Sequence, residues 1–454
     1  MTESGQNAHF RTIPPPFSQR CGDYRIELFK RGNRSYEKVS YPIRCGVYHE
    51  IVTPNAVLHF DLNHHPIRLI GKQRDWPHPQ EWLKRTIGND WIYYSTGGYT
   101  GVFETTGEFY LPNLPYSTNN HLGGTPLEKE PIRSLIQDWP QEIGASAASC
   151  SGCSEEVDQA IERIREFTPA SLAENAQTLH RIVDGPVSVL PPDTRHVDYQ
   201  VIPLNISLGC LYKCGFCRVK NKRAFRELSL AEINAQLDDL HTLLADNLIN
   251  FNSIFLGQHD GLNCDPSLLC AAVELAHRKL ELGASWISGS NTFLFGSVDS
   301  LLAAEAKLFD DLEGLPGRIF INIGLESADQ ATLDYLGKPL KAAQVCAAFR
   351  RIKSINETCR RVEISANFVI DPELPDSHYQ AMLGLIRDEI GTVRDKGCIY
   401  LSPLRFDEPS RARLFDFYKL KRLSRLPLFM YTCLLYTSDA ADECCGVVLW
   451  GGGG

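Results

Sequence analysis

Short apolar runs alternate with longer amphipathic segments between residues 197 and 404. Apolar runs of this length are typical of buried strands, and the segments between them have the periodicity of helices. Six strand-helix units in succession predict an α/β fold, with parallel strands joined by right-handed crossovers in a barrel or an open sheet. The expected strands are Val201 to Leu208, Ser253 to Leu256, Ser285 to Ser288, Arg318 to Ile323, Val362 to Ile370 and Cys398 to Leu401.

The helices between these strands have recognisable ends. Ser229 and Glu232 have the spacing of a capping box, and the apolar residues that follow share one helix face. An aspartate before a proline predicts an N-cap and first turn, and glycine is typical just after a helix. The residues expected at the ends of the next two helices are Asp265, Pro266, Gly283, Ser297 and Gly314.

Residues 1–145 differ from this pattern because they are rich in aromatic residues, turns and proline. The segment from Trp91 to Glu104 combines aromatic and β-branched residues around Gly97 and Gly98, which predicts strands joined by a tight turn. We therefore expect a mixed α+β N-terminal domain, whose role the sequence does not indicate.

A linker and helical connector is expected over residues 146–196, where small polar residues are followed by apolar positions at helical spacing. The linker contains Cys150 and Cys153, which are either ligands of an auxiliary cluster or incidental thiols. After residue 404, residues 405–432 are expected to form a C-terminal helical segment. Residues 433–454 resemble translated sequencing-adapter read-through, so we leave them out of the fold prediction.

The composition of the 454 residues is that of a globular protein, with 43% hydrophobic and 22% charged residues. A net charge of -9 gives no overall electrostatic footprint for nucleic acid. No apolar run has the length of a membrane span, and the polar start is no signal peptide, so a cytoplasmic location is expected. In that reducing compartment the 15 cysteines are expected to be free thiols and metal ligands.

Cys210, Cys214 and Cys217 have C-x3-C-x2-C spacing directly after the first expected strand. A loop of this length can turn three thiolates towards one iron-sulfur cluster, since Gly209 and Gly215 allow sharp turns. In a 4Fe-4S cluster with three protein ligands, one iron is left to bind another group. A zinc knuckle or three buried core thiols are the alternatives, but no fourth zinc ligand lies nearby at ligand spacing.

This motif resembles that of the radical S-adenosylmethionine (radical SAM) superfamily, which has an aromatic or apolar residue at the position of Phe216. The resemblance implies a partial (βα)6 TIM-like barrel over residues 197–404. It also implies that the open iron binds the amino and carboxylate groups of S-adenosyl-L-methionine, and that Phe216 packs near the adenine.

Polar residues follow the expected strands one after another, and in parallel folds these ends meet at one mouth. The resemblance places Gly257, Gln258, His259 and Asp260 at the methionyl amino group, with Glu326 and Ser327 at the ribose or methionyl moiety. The remaining candidates for cofactor contact are Ser290, after the third expected strand, and Asn367, in the fifth. The alternative for Asp260 and Glu326 is that they cap helices, because carboxylates favour helix N-termini.

The function that the resemblance implies is reductive cleavage of S-adenosyl-L-methionine at a 4Fe-4S cluster. The products are methionine and a 5'-deoxyadenosyl radical that abstracts hydrogen from an unidentified substrate. A one-electron donor such as flavodoxin or ferredoxin is implied as partner. The alternative is a non-catalytic iron-sulfur protein for electron transfer or redox sensing. The basic residues after the cysteines either meet an anionic substrate or such an electron donor, or form a solvated face. They are Arg218, Lys220, Lys222, Arg223 and Arg226.

Overall fold

The computed structural model contains two seven-stranded sheets with helices packed against them. The residues that it describes are 13–36, 44–76, 82–89, 91–94, 130–149, 152–185, 187–189, 196–197, 201–212, 214, 223–394, 396–404, 411–430 and 434–436.

The N-terminal sheet is an antiparallel meander in which each strand pairs with the next along the chain. One face buries apolar side chains such as Ile26, Leu58 and Leu69. The domain is thus richer in sheet than the expected α+β mixture. Its strands are β1 (Phe17–Cys21), β2 (Tyr24–Arg31), β3 (Val47–Val52), β4 (Ala56–Phe60), β5 (Pro66–Gly71), β6 (Trp82–Arg85) and β7 (Trp91–Tyr94). The expected turn at Gly97 and Gly98 lies outside the described residues.

Three helices follow, namely α1 (Glu130–Ser149), α2 (Glu155–Arg165) and α3 (Pro169–Ile182). Trp139 of α1 and Ile161 of α2 belong to the same apolar core as the first sheet, so these two helices complete the N-terminal domain. Helix α3 contributes Leu172 to that core and Leu179 to the core of the second sheet. The segment from Ser146 to Ser149, expected as linker, is the last part of α1. Its small residues include alanines, which have the highest helix propensity of all residues.

The second sheet is entirely parallel, which confirms the α/β class. Its strands are β9 (Ile202–Pro203), β12 (Ser253–Asp260), β13 (Asn291–Gly296), β14 (Arg318–Glu326), β15 (Val362–Ile370), β16 (Ile399–Pro403) and β17 (Leu428–Met430), paired in that order. In the described part of the chain, the edge strands β9 and β17 are not paired with each other.

Helices connect the parallel strands along the whole sheet. They are α4 (Leu230–Leu244), α5 (Pro266–Lys279), α6 (Val298–Ala303), α7 (Ala306–Gly314), α8 (Gln330–Tyr335), α9 (Ala342–Thr358), α10 (Asp376–Leu383) and α11 (Arg411–Leu423). The helix α11 agrees with the expected C-terminal helix, but β17 after it was not anticipated. Among the described residues, no helix is both long enough and apolar enough to cross a membrane.

The expected helix starts are confirmed. Ser229 and Glu232 form the capping box of α4, Asp265 accepts the N–H groups of the first turn of α5, and Ser297 caps α6. The end of α5 is earlier than expected, because the helix stops at Lys279 and Gly283 belongs to a separate short 3-10 turn.

Two expected strands are changed by tertiary contacts. The third strand is β13, whereas Ser285 to Ser288 form an irregular segment in which the Trp286 ring donates a hydrogen bond to the carbonyl of Gly32, 3.1 Å away, in the N-terminal domain. The guanidinium of Arg34 lies 5.1 Å from the centre of that ring. Interdomain packing, and not sheet formation, therefore accounts for this apolar segment.

The first expected strand is divided. Only Ile202 and Pro203 join the parallel sheet, whereas β10 (Ser207–Leu208) pairs with the antiparallel β11 (Arg226–Glu227). Two further strands, β8 (Val187–Val189) and β18 (Leu434–Tyr436), pair with each other. Residues 433–454, which were left out of the fold prediction, thus contain a short strand near their start.

Asn250 joins the two domains. Its side-chain oxygen accepts the N–H of Val47 at 2.7 Å, and its amide nitrogen donates to the carbonyl of the same residue at 2.9 Å. Val47 begins β3, and the Asn250 side chain is buried. One side chain thus satisfies both backbone groups of a strand end that would otherwise lack partners in the interface.

We expect Asn250→Ala to lower the free energy of unfolding by about 2–4 kcal/mol, because it leaves two buried backbone groups unpaired. Urea unfolding measures the change. Asn234→Ala is the matched control, since Asn234 is only half-buried and its side chain bonds, in the described part of the chain, to Asp238 on its own helix. Equal stability of the Asn250 variant and the wild type would contradict the assigned contact.

Candidate active site

The cysteine loop leaves the first parallel strand at the carboxyl end of the sheet. Cys214 is buried and Cys210 is half-buried, whereas Phe216 and Cys217 lie outside the described residues. Gly209 has a φ of +78°, and a side-chain carbon at this position would collide with the backbone carbonyl of Ala224. This confirms the turn expected at Gly209, whereas that at Gly215 is not described.

Tyr212, between the first two cysteines, fixes this loop to the third βα unit. Its hydroxyl donates to the carboxylate of Asp299 at 2.6 Å, and Gln344 donates to the other oxygen of that carboxylate at 3.2 Å. Burial and the neighbouring Asp299 raise the pKa of Tyr212 above its ordinary value, so the phenol stays protonated. The loop is therefore held from within the motif by a group that is itself no metal ligand.

Glu326 and Lys338 form a buried ion pair at the carboxyl end of β14. The Lys338 ammonium is 2.9 Å from the Glu326 carboxylate, donates to the carbonyl of Gly324, and lies 6.0 Å from the centre of the Tyr212 ring. This contact brings the cysteine loop next to the end of the fourth strand. The sequence alone assigned Lys338 no role, although it follows the Glu326 segment closely.

The backbone at Glu326 is strained. Its φ is +63°, and the pairing of β14 with β15 is interrupted by a register shift between Gly324 and Glu326. A left-handed conformation costs a residue with a side chain roughly 1 kcal/mol. Such strain is typical of functional sites, where the surrounding structure holds the residue in place.

Asp260 ends β12 and faces the start of α6. One carboxylate oxygen accepts the N–H of Ser297 at 3.1 Å and the hydroxyl of Ser300 at 2.8 Å. The other oxygen is buried and has no hydrogen-bond partner among the described residues. Burial raises the pKa of the Asp260 carboxyl above its ordinary value, although these hydrogen bonds and the nearby backbone N–H of Asn263 oppose the shift. The carboxylate thus caps α6 with one oxygen and keeps the other available.

Ser327 is completely buried and bonds to a histidine that the sequence analysis did not identify. Its hydroxyl lies 2.8 Å from Nδ1 of His378, whose Nε2 lies 2.9 Å from the carbonyl of Val369. Since a carbonyl only accepts, Nε2 carries the proton and the serine donates to Nδ1. Burial lowers the pKa of His378, in keeping with this neutral ring. These contacts hold the turn after Glu326, and a cofactor contact of Ser327 stays a prediction.

The remaining candidates for cofactor contact lie in different parts of the sheet. Gly257 has a φ of +86° near the end of β12, but the side chains of Gln258 and His259 lie outside the description. The prediction for Ser290 is wrong, because the third strand begins after this residue and not before it. Ser290 directly precedes β13 and so lies at the amino edge of the sheet, away from the cysteines. Asn367 lies within β15, where its side-chain oxygen is buried without a partner in the described part of the structure.

The described residues among the linker cysteines and the basic residues after the motif contact other parts of the protein. Cys153 packs against the N-terminal core, and Cys150 lies outside the described residues. Arg223 and Arg226 are exposed and pair with Asp184 and Glu232, as expected of a solvated face.

No protein-family model matches the sequence, and no curated protein matches it. Among solved structures, the chain is similar to the cobalamin-dependent S-adenosylmethionine radical enzyme OxsB with aqua-cobalamin bound, at 18% identity and a TM-score of 0.30. That match covers 41% of this chain and only 26% of OxsB.

Two further solved structures are similar to this chain. A radical SAM methyltransferase from Sphaerobacter thermophilus is 15% identical with a TM-score of 0.35, over 65% of this chain and 92% of that one. SuiB from Streptococcus suis bound to S-adenosylmethionine is 11% identical with a TM-score of 0.33, over 86% and 73% of the two chains. OxsB and the methyltransferase carry the name of the superfamily that the cysteine motif resembles. Because these TM-scores are low, the function has to be argued from this chain's own residues.

Proposed function

We propose that this chain is a radical SAM enzyme that binds a 4Fe-4S cluster through Cys210, Cys214 and Cys217 and cleaves S-adenosyl-L-methionine reductively. The observation that carries the proposal is the position of the C-x3-C-x2-C motif. It follows the first strand of a parallel sheet, and its loop contacts the end of the fourth strand through Tyr212 and Lys338. We also propose that the sheet is the partial (βα)6 barrel of that superfamily.

The residues at the mouth fit these groups. Thiolates are the usual protein ligands of iron-sulfur clusters, and the described cysteines Cys210 and Cys214 share one loop. The unpartnered oxygen of Asp260 suits the ammonium of the methionyl group, since a buried carboxylate oxygen needs a donor. Glu326 would accept from the ribose hydroxyls, with Lys338 as its partner in the buried ion pair.

The bound cluster would supply the electron that splits S-adenosyl-L-methionine into methionine and a 5'-deoxyadenosyl radical. The chain's own residues position the reactants and exclude water. Asp260 and Glu326 would fix the two ends of the cofactor, while Tyr212 and Asp299 keep the cysteine loop in place between them. A one-electron donor such as flavodoxin or ferredoxin would act as partner, and the substrate is unidentified.

The deciding experiment is anaerobic reconstitution with iron and sulfide, followed by S-adenosyl-L-methionine and dithionite. We expect bound iron, the absorbance of a 4Fe-4S cluster, and formation of 5'-deoxyadenosine with methionine. Cys214→Ala should lose the cluster and all 5'-deoxyadenosine, because one of only three protein ligands is removed.

Cys264→Ala is the matched control for this experiment. Cys264 is also buried, but burial raises the pKa of its thiol to about 12, so it does not provide a thiolate at neutral pH. It should keep both the cluster and 5'-deoxyadenosine formation. A wild-type protein that contains zinc would refute the proposal, and a protein with a cluster but without 5'-deoxyadenosine would be a non-catalytic iron-sulfur protein.

Asp260→Asn tests the available carboxylate oxygen through pH dependence. Because the folded pKa is raised above the ordinary value of 3.8, the wild type loses stability as the pH rises from that value through the folded pKa. The variant lacks this loss, so the difference in the free energy of unfolding between variant and wild type should shift in favour of the variant over the same interval and then level off. Urea unfolding between pH 3.5 and pH 8 measures it.

The same Asp260 variant should bind S-adenosyl-L-methionine at least about tenfold more weakly, since it lacks the charge that faces the ammonium. Equilibrium dialysis with the reconstituted protein gives the affinity. Asp329→Asn serves as control, because Asp329 caps α8 in the same region and is assigned no cofactor contact. An unchanged affinity of the Asp260 variant would remove this residue from the site, whatever its stability.

A further inference from the structure

Three neighbouring strands of the parallel sheet carry buried polar atoms without partners among the described residues. Both side-chain atoms of Asn322 are in this state, together with the side-chain oxygens of Asn367 and Ser402. Asn322 is 5% exposed and Asn367 is 8% exposed, so water does not compensate for the missing bonds at the surface. Leaving a buried amide unpaired costs about 1–3 kcal/mol.

These side chains share one face of the sheet. Asn322 is level with Ser365, and Asn367 is level with both Gly324 and Tyr400. Ser402 lies two residues beyond Tyr400 on the same strand. Because side chains alternate between the faces of a strand, all of them point away from the face on which Ile321 and Ile323 pack in the apolar core. We call this side the polar face.

The polar face is bounded below by aromatic rings. Phe320, two residues before Asn322, stacks on Phe293 with ring centres 5.3 Å apart and on His196 with ring centres 4.0 Å apart. On the other side, Gly324 lies two residues after Asn322, next to the Glu326 and Lys338 pair. The unpartnered amide of Asn322 therefore lies between an aromatic floor and the mouth that holds the cysteine loop.

The neighbours of Asn322 on this face offer no unpaired charge. Phe295 and Ser365 are level with it on the two adjacent strands, and Phe320 precedes it on its own strand. The space over Gly324, which follows it, is taken by the Glu326 carboxylate and the Lys338 ammonium, which pair with each other. A charged ligand group would find no free countercharge here and would lose its hydration. A neutral group that presents a hydrogen-bond donor beside an acceptor would satisfy both atoms of the Asn322 amide at once.

We propose that Asn322, with Asn367 and Ser402 beside it, binds a neutral donor-acceptor group of the substrate, as found on a carboxamide or on the edge of a nucleobase. This inference rests on the proposed function, because it takes the bound group to be part of that enzyme's substrate. Asn322 lies about 7 Å below Gly324 along the strand, two residues towards the amino end. It is thus deeper than Asp260 and Glu326, which end their strands and are assigned to the cofactor.

The first test is the melting temperature of the full-length chain without added ligands. Asn322→Leu keeps the number and branching of the side-chain heavy atoms and removes two unpaired polar atoms, so Tm should rise by about 2 °C or more. Asn356→Leu is the matched control, because that amide bonds to both the N–H and the carbonyl of Ile364, at 2.8 Å each, and its variant should melt lower. A fall in Tm for Asn322→Leu equal to that of the control would overturn the proposal.

The second test uses four probes at millimolar concentration, where small fragments of good fit bind. Benzamide presents a carboxamide, uracil a nucleobase edge, benzoate the charged counterpart of benzamide, and adenosine the nucleoside part of the cofactor. We expect benzamide or uracil to raise the Tm of the wild type and not that of Asn322→Leu, and benzoate to have no effect on either. The stronger of the two neutral probes identifies the source of the group.

Three results would overturn the proposal. In the first, benzoate raises the Tm of the wild type as much as the neutral probes do. In the second, adenosine alone raises that Tm and Asn322→Leu abolishes the increase. In the third, no probe changes the Tm. The second of these would assign Asn322 to the cofactor. Both tests are made without S-adenosyl-L-methionine or reductant, so a chain that binds benzamide but forms no 5'-deoxyadenosine would refute the proposed function and leave the neutral-ligand site intact.

Discussion

The parallel hydrogen bonding from β9 to β17 is the constraint on which the rest of the structure depends. Parallel strands in a common register place residues of equal height side by side, and the alternation of side chains separates two faces. One face is apolar and packs against the connecting helices, as parallel sheets require. The other carries Asn322, Asn367 and Ser402. At the carboxyl ends the same register brings Asp260 and Glu326 to one edge, although they are far apart in the chain.

The sequence was sufficient where local and tertiary preferences agree. The capping residues Ser229, Asp265 and Ser297 each begin a helix, because their side chains satisfy N–H groups that every helix start leaves free. Ser285 to Ser288 show the opposite case. There an apolar segment has strand character, but Trp286 packs against the N-terminal domain, and no local pattern contains that contact. The misplacement of Ser290 follows directly from this.

The sequence predicted those residues of the candidate site that lie close together in the chain, and it missed those that the fold brings together. Spacing along the chain identifies groups that act together on one loop, such as Cys210 and Cys214. It does not identify partners supplied by the fold: Lys338 reaches Glu326 across a strand bulge, and His378 meets Ser327 from a different βα unit. Asn322 was overlooked because a lone asparagine in an apolar strand gives no signal until its neighbours on the sheet are known.

Two asparagines illustrate how the same side chain can serve stability or binding. Asn250 and Asn322 are both almost completely buried, so both lost the hydrogen bonds that water provides. At Asn250 the backbone of Val47 replaces them, and the amide joins the two domains. At Asn322 no described group does so, and the cost is kept in the folded chain. An apolar residue with the same side-chain shape would avoid that cost. The polar face is therefore better explained by binding of a ligand than by packing within the chain.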